Sequence, residues 1–142
     1  MKRFLLALAL LAFASVRAIA GVCDDPAQTR QSVPVNVSSA TTTKLLQQLT
    51  AYQQIYVCNI ALTAVATNPT VKFEYGTQVT NPCDTGTVVF TGTIAPLTGT
   101  FIAIGYGGDL LFLPQLINNQ FCLVTGGTGS PSFQGIITYV VR

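Results

Sequence analysis

The chain has 142 residues, with seven basic and five acidic side chains and no histidine; only 8% of it is charged, against 49% hydrophobic. The missing imidazole excludes histidine triads and histidine acid–base catalysis, and it leaves zinc a poor fit. Apolar residues spread along the whole length exclude a disordered chain.

The first 20 residues read as a leader. Lys2 and Arg3 precede an apolar run from Phe4 to Ala14, and Ala18-Ile19-Ala20 fits a small-x-small cleavage site. That is the layout of a secretory signal peptide, which makes Gly21 the first residue of the exported chain and 21–142 one domain. The apolar run is too short for a membrane span, so none is expected after cleavage. Removing the leader takes away Lys2, Arg3 and Arg17. What stays is Arg30, Lys44, Lys72 and Arg142 against Asp24, Asp25, Glu74, Asp84 and Asp109, a net charge of −1. Four scattered bases make no phosphate-binding surface, which argues against nucleic acid. Threonine stands in for charge, with 19 copies after residue 20. Thr suits pleated strands, and weak charge repulsion favours a homo-oligomer or a protein assembly over a free monomer.

The elements follow in chain order. All four cysteines (Cys23, Cys58, Cys83 and Cys122) lie beyond the leader, an even count that suggests two disulfides with three possible pairings. Val33-Pro34-Val35-Asn36-Val37 predicts a first strand, with Pro34 marking an edge. Residues 41–54 fit either a helix with Leu45, Leu46 and Leu49 on one face or a strand followed by a loop, and the strand reading sits better among strands. Ile55 to Ala66 is apolar on both alternating faces and predicts a central strand, bent or bulged. After an Asn68-Pro69 turn, Val71, Phe73 and Tyr75 alternate with Lys72 and Glu74, placing the first set in the core and the second in water. Asn81-Pro82 and Asp84-Thr85-Gly86 carry turn chemistry around Cys83. Further strands are predicted at 87–90, 101–104, 110–113, 121–124 and 135–141, the last with Ile137, Tyr139 and Val141 on one face. About eight short strands with regular turn signals predict a single all-β, antiparallel β-sandwich or jelly-roll-like domain after the signal peptide.

Candidate chemistry is sparse. The five acids lie on a strand, in an N-terminal tail or beside turn glycines, an arrangement that does not suggest a glycosidase pair. The glycine-rich stretches 105–109 and 126–130 lack the following helix and the lysine of a phosphate loop, and read as hairpin turns. Tyr106 and Asp109 in the first of them form a possible contact loop. Asn36-Val37-Ser38 is a glycosylation sequon whose meaning depends on the secretory route. No catalytic, cofactor-binding or metal-ligating residue is assigned, and no cofactor is expected.

The segments VPVNVSSATTTKLL (33–46), IYVCNIAL (55–62), VKFEYGT (71–77), NPCDTG (81–86), FCLVTG (121–126) and GIITYV (135–140), taken in order, resemble small cysteine-containing β-sandwich proteins associated with bacteriophage genomes, of the virion-associated structural or decoration type. The resemblance implies a structural or surface-interaction role and carries no catalytic motif. Its cysteine contexts match at Cys58, Cys83 and Cys122, and a more variable N-terminal cysteine matches Cys23. A signal peptide departs from a virion protein assembled in the cytoplasm. The reading is therefore a non-enzymatic exported module, periplasmic, extracellular or at the cell surface, with virion association as the alternative location. A carbohydrate-binding β-sandwich is the alternative function, with a glycan as possible partner, although the chain has no tryptophan.

Overall fold

A computed structural model describes residues 21–50, 52–105, 118–128 and 130–142, together with the backbone of 111–112. A short 3-10 turn, Val22–Asp24, precedes nine strands: β1 Arg30–Val37, β2 Thr42–Gln47, β3 Ile55–Ala64, β4 Pro69–Thr77, β5 Thr85–Val89, β6 Phe101–Ile104, β7 Leu111–Phe112, β8 Asn119–Gly127 and β9 Phe133–Val141. Two antiparallel sheets form, ordered β1-β9-β3-β6 (with β7 also pairing β3) and β2-β8-β4-β5. Apart from the short β7, that interleaved order is a jelly roll, two Greek keys folded into facing sheets. Among the described residues no helix is long and apolar enough to cross a membrane.

The core lies between the sheets. Val35, Val57, Ile60, Leu62, Phe133 and Ile137 meet Leu46, Val71, Phe73, Phe121 and Leu123 there, all buried. Phe73 and Phe121 stack at 5.7 Å, and Phe90 meets Phe121 edge-on at 6.1 Å. Such offset and edge contacts suit the ring quadrupoles.

The two-faced apolarity of β3 comes from a bulge. Val57 pairs Tyr139 and Asn59 pairs Thr138, so Cys58 is the extra residue. One inserted residue reverses the in–out parity of everything after it. Ile55 and Val57 point inward before it; Ile60, Leu62 and Ala64 point inward after it. The described residues of 41–54 form β2 and a loop, with no helix among them, and a second bulge at Leu45 lets Leu46 reach the core opposite Phe121. Gln48, fully buried, holds that loop: its side-chain amide donates to the carbonyls of Gln53 and Thr50.

Several expectations change. Glu74 does not face water: it is 6% exposed, because it points to the outer side of its sheet beneath a crossing loop and pairs with Lys72 at 2.9 Å. Tyr75, expected in the core, is half-buried against it, since its partner β5 is a fully exposed edge strand. The 126–130 stretch is not a hairpin turn. β8, which ends at Gly127, and β9, which starts at Phe133, lie in different sheets. Gly127 has φ +116°, and a Cβ there would come within 2.3 Å of the Asn68 carbonyl oxygen. Pro34 does stand on an edge strand, paired to Ile136 of β9.

Candidate functional site

The cysteines pair as Cys23–Cys58 and Cys83–Cys122, with Cα separations of 5.6 and 6.4 Å, and no free cysteine is among the described residues. Disulfides form and persist in oxidising compartments and are rare in the cytoplasm. Each ties a peripheral segment onto the outer side of an interior strand.

On the first sheet, the bulge at Cys58 aims its sulfur outward toward Cys23 in the 3-10 turn. Cys23, Cys58 and Val140 form a small second core with Val22 and Tyr56 packed on it. Arg30 locks the segment, its Nε donating to the Cys23 carbonyl at 2.8 Å and its Nη2 to Asp24 at 3.3 Å. On the second sheet, residues 78–84 fold back over β4 so that Cys83 reaches Cys122 of β8. This strap crosses Gly76, where a Cβ would stand 2.9 Å from the Thr85 carbonyl oxygen and 3.3 Å from that of Cys83. Only glycine leaves room for it. Gln120, buried, accepts from the Cys83 amide at 3.2 Å and donates to Gln78 at 2.8 Å.

Asp84 shapes the strap. Its carboxylate accepts from the amides of Val79, Thr80 and Asn81, each at 2.8 Å. Those three donors, Asn81's foremost, lower its pKa from 3.8 to about 2 although the group lies in solvent. Asp84 is thus a turn former saturated by backbone.

Beside the strap lies an open groove of about 580 Å³ walled by Thr41, Thr42, Lys72, Glu74, Asn81 and Asp84, among others. Its carboxylates are already engaged, Glu74 by Lys72 and Asp84 by three amides, and no aromatic side chain lines it. Among the described residues no cluster of ligating side chains could hold a metal ion. Tyr106 and Asp109, the possible contact loop, lie outside the described residues. Asn36 of the sequon is exposed on β1.

Charge is unevenly placed. The four connections that cross between sheets at one end of the sandwich are 38–41, 65–68, 90–100 and 128–132, and none contains a charged residue. Exposed Val65, Leu97 and Phe101 gather at that end. Sequence reasoning weighed charge along the chain and missed this segregation, which appears only once the topology brings those four segments together.

No protein-family model matches the chain, and no curated protein sequence matches it. Solved structures do. One chain of the infectious bursal disease virus structure (Gt strain) aligns over 83% of this chain at 10% identity and a TM-score of 0.51. This chain spans only 33% of that viral protein's length. A protein of Bacillus endospore appendages, described as disulfide-linked pili, aligns over 80% of this chain and 84% of its own, at 13% identity and a TM-score of 0.44. PirA aligns over 83% of this chain and 99% of its own, at 13% identity and a TM-score of 0.40. At such identities the viral likeness shows the shared sandwich fold and no more.

Proposed function

We propose that this protein is a non-enzymatic structural module that is exported after loss of residues 1–20 and works within a protein assembly. The observation that carries this reading is the double staple. Each sheet has its outer face half covered by a segment bonded to an interior strand, Cys58 in β3 and Cys122 in β8. Crosslinks so placed hold a small sandwich closed in an oxidising environment. Surface chemistry agrees: threonine-rich, nearly neutral, and with one uncharged end. The fold shared with a protein of the infectious bursal disease virus structure supports the same reading, and association with a virion is its finer form, favoured by the resemblance of the cysteine-bearing strands to bacteriophage-associated proteins.

Sugar binding is the weaker reading. The polar groove offers hydroxyls but no aromatic wall for a sugar ring, and its charged groups are spent on internal bonds. Light scattering of the purified, oxidised chain 21–142 tests the assembly reading. A mass that rises with concentration above that of one chain supports it; a single-chain mass at millimolar concentration overturns it.

A further inference from the structure

Two deficits weigh against a sugar in the groove beside the strap: it has no aromatic wall, and its charged groups are engaged in internal bonds. A second cleft has neither deficit. It measures about 300 Å³ and lies at the end of the sandwich opposite the uncharged connections, where β1, β9 and the start of β3 face β2. Gln31 stands opposite Tyr139 on the neighbouring strand. It keeps the inward parity of Val35 and Val37 but lies past the end of the core, where it is exposed. Leu46, Ile55 and Val141 supply the apolar side of the cleft and the amides of Gln31, Gln47 and Gln53 the polar side, and no charged side chain lines it. Its polar groups are largely open. Neither the Gln31 amide nor the Tyr139 hydroxyl makes a hydrogen bond among the described residues, and Gln53 uses only its Oε1, accepting from the Leu49 amide at 3.0 Å.

The loop beside the cleft is held in one shape. Gln48 is fully buried; its amide donates to the Asn119 carbonyl at 2.8 Å and its carbonyl accepts from the Asn118 amide at 3.1 Å. Its side-chain nitrogen ties the carbonyls of Thr50 and Gln53, while its Oε1 is buried with no partner. An unmatched buried acceptor destabilises a fold, and such departures concentrate where a fold serves a function. Here the buried amide orders a turn. The Gln53 amide closes it on the Thr50 carbonyl at 3.2 Å, and Tyr52 within it is 93% exposed. An aromatic ring in water thus stands next to Gln53 of the cleft.

We infer that this cleft, with Tyr52 at its lip, binds an uncharged glycan built of pyranose rings. The inference goes beyond the assembly reading and does not depend on it. Three properties select the chemistry. With no charge in the lining, an ionic ligand would be buried unpaired. Side-chain amides carry donors and acceptors together, as sugar hydroxyls do, whereas a purely apolar ligand would cover Gln31 and Gln53 without matching their hydrogen bonds. Tyr139 and the aliphatic side chains suit the C–H face of a ring, and Tyr52 is left for the next ring along. At about 300 Å³ the cleft stands at the lower limit of small-molecule sites, so it holds one ring, with millimolar affinity.

The test titrates the nitrogen-15 labelled, oxidised chain 21–142 with maltohexaose, laminarihexaose and chitotetraose to tens of millimolar, followed by proton–nitrogen correlation spectra, with oligogalacturonate as the charged comparison. The expected result is saturable shifts from at least one neutral glycan at the side-chain amides of Gln31 and Gln53 and the backbone of Tyr52 and Tyr139. Lys72, Glu74 and Asp84 should stay still, and oligogalacturonate should shift none of these. Tyr52→Ala and Gln31→Ala should each weaken binding about tenfold by removing a ring contact or a hydrogen-bonding amide, and Val89→Ala on β5 should not. Thermal midpoints should hold, because all three side chains are exposed. No saturable shift from any of the three neutral glycans overturns the inference, as do shifts confined to the strap groove, binding of oligogalacturonate alone, or affinity unchanged in both cleft variants. Crosslinking of a benzoyl-phenylalanine at position 52 to a protein of the producing cells, with no glycan shift, assigns the cleft to a polypeptide and also overturns it. A chain that binds glycan yet stays monomeric at millimolar concentration overturns the assembly reading and leaves this one standing.

Discussion

Replacing Cys83 and Cys122 together by alanine removes the strap's covalent anchor and frees a loop with a sequence separation of 39 in the unfolded chain. The chain-entropy relation values that closure at about 4 kcal/mol, and measured cases run at roughly 2–4 kcal/mol. Residues 21–142 number 122. At ~2.1 cal/mol/K per residue the unfolding entropy is about 250 cal/mol/K, so the thermal midpoint should fall by about 8–15 °C. The Cys23/Cys58 pair, at a separation of 35, closes nearly the same length. If constraint of the unfolded chain is the cause, the two double variants should fall by similar amounts. Far-ultraviolet circular dichroism under non-reducing conditions reads both midpoints. A fall below about 3 °C for either double variant would refute the argument that the staples hold this sandwich closed.

Other consequences are smaller in scope. Gly135→Ala would place a Cβ 2.0 Å from the Ala61 carbonyl oxygen, between two central strands; a loss of roughly 1–3 kcal/mol or more in urea unfolding is expected, and a neutral result contradicts the close approach of β9 to β3. Phe121→Ala empties the site shared by Phe73 and Phe90 and should cost about 3–5 kcal/mol in the same assay. Asp84 titrates at about 2 in the folded protein, below its ordinary 3.8. Its contribution to stability is therefore present above about pH 4 and lost as pH falls toward 2. Carbon-13 detected titration of the Asp84 carboxyl should show the low midpoint, and one near 4 denies the three amide bonds. Asp84→Asn should raise amide exchange at Val79, Thr80 and Asn81, with β3 unchanged.

Much of the fold is legible in the residues. Alternation at 135–141, the inward Val71 and Phe73, the Pro34 edge and the Asn68-Pro69 turn are local signals that the structure honours. What escaped depends on long-range packing. A bulge at Cys58 looks, in sequence, like a strand apolar on both sides, because a parity reversal and two buried faces leave the same pattern. Glu74 alternates as a solvent-facing residue should; its burial comes from a strap whose Cys83 is bonded to Cys122, 39 residues further along the chain. Turn chemistry at 126–130 is real, but glycines alone do not say whether a chain returns beside itself or crosses to the other sheet. The candidate surface was the least legible of all. Its neutrality lies in four separated segments that no local pattern joins.

The proposed role requires a disulfide-stapled module outside the cytoplasm, built into an assembly. Fractionation of producing cells, with non-reducing peptide mass spectrometry on each fraction, tests it most directly. The expected result is a chain beginning at Gly21, recovered from extracellular or surface-bound particles, with Cys23 joined to Cys58 and Cys83 to Cys122. Recovery as a cytoplasmic monomer with free thiols would contradict it.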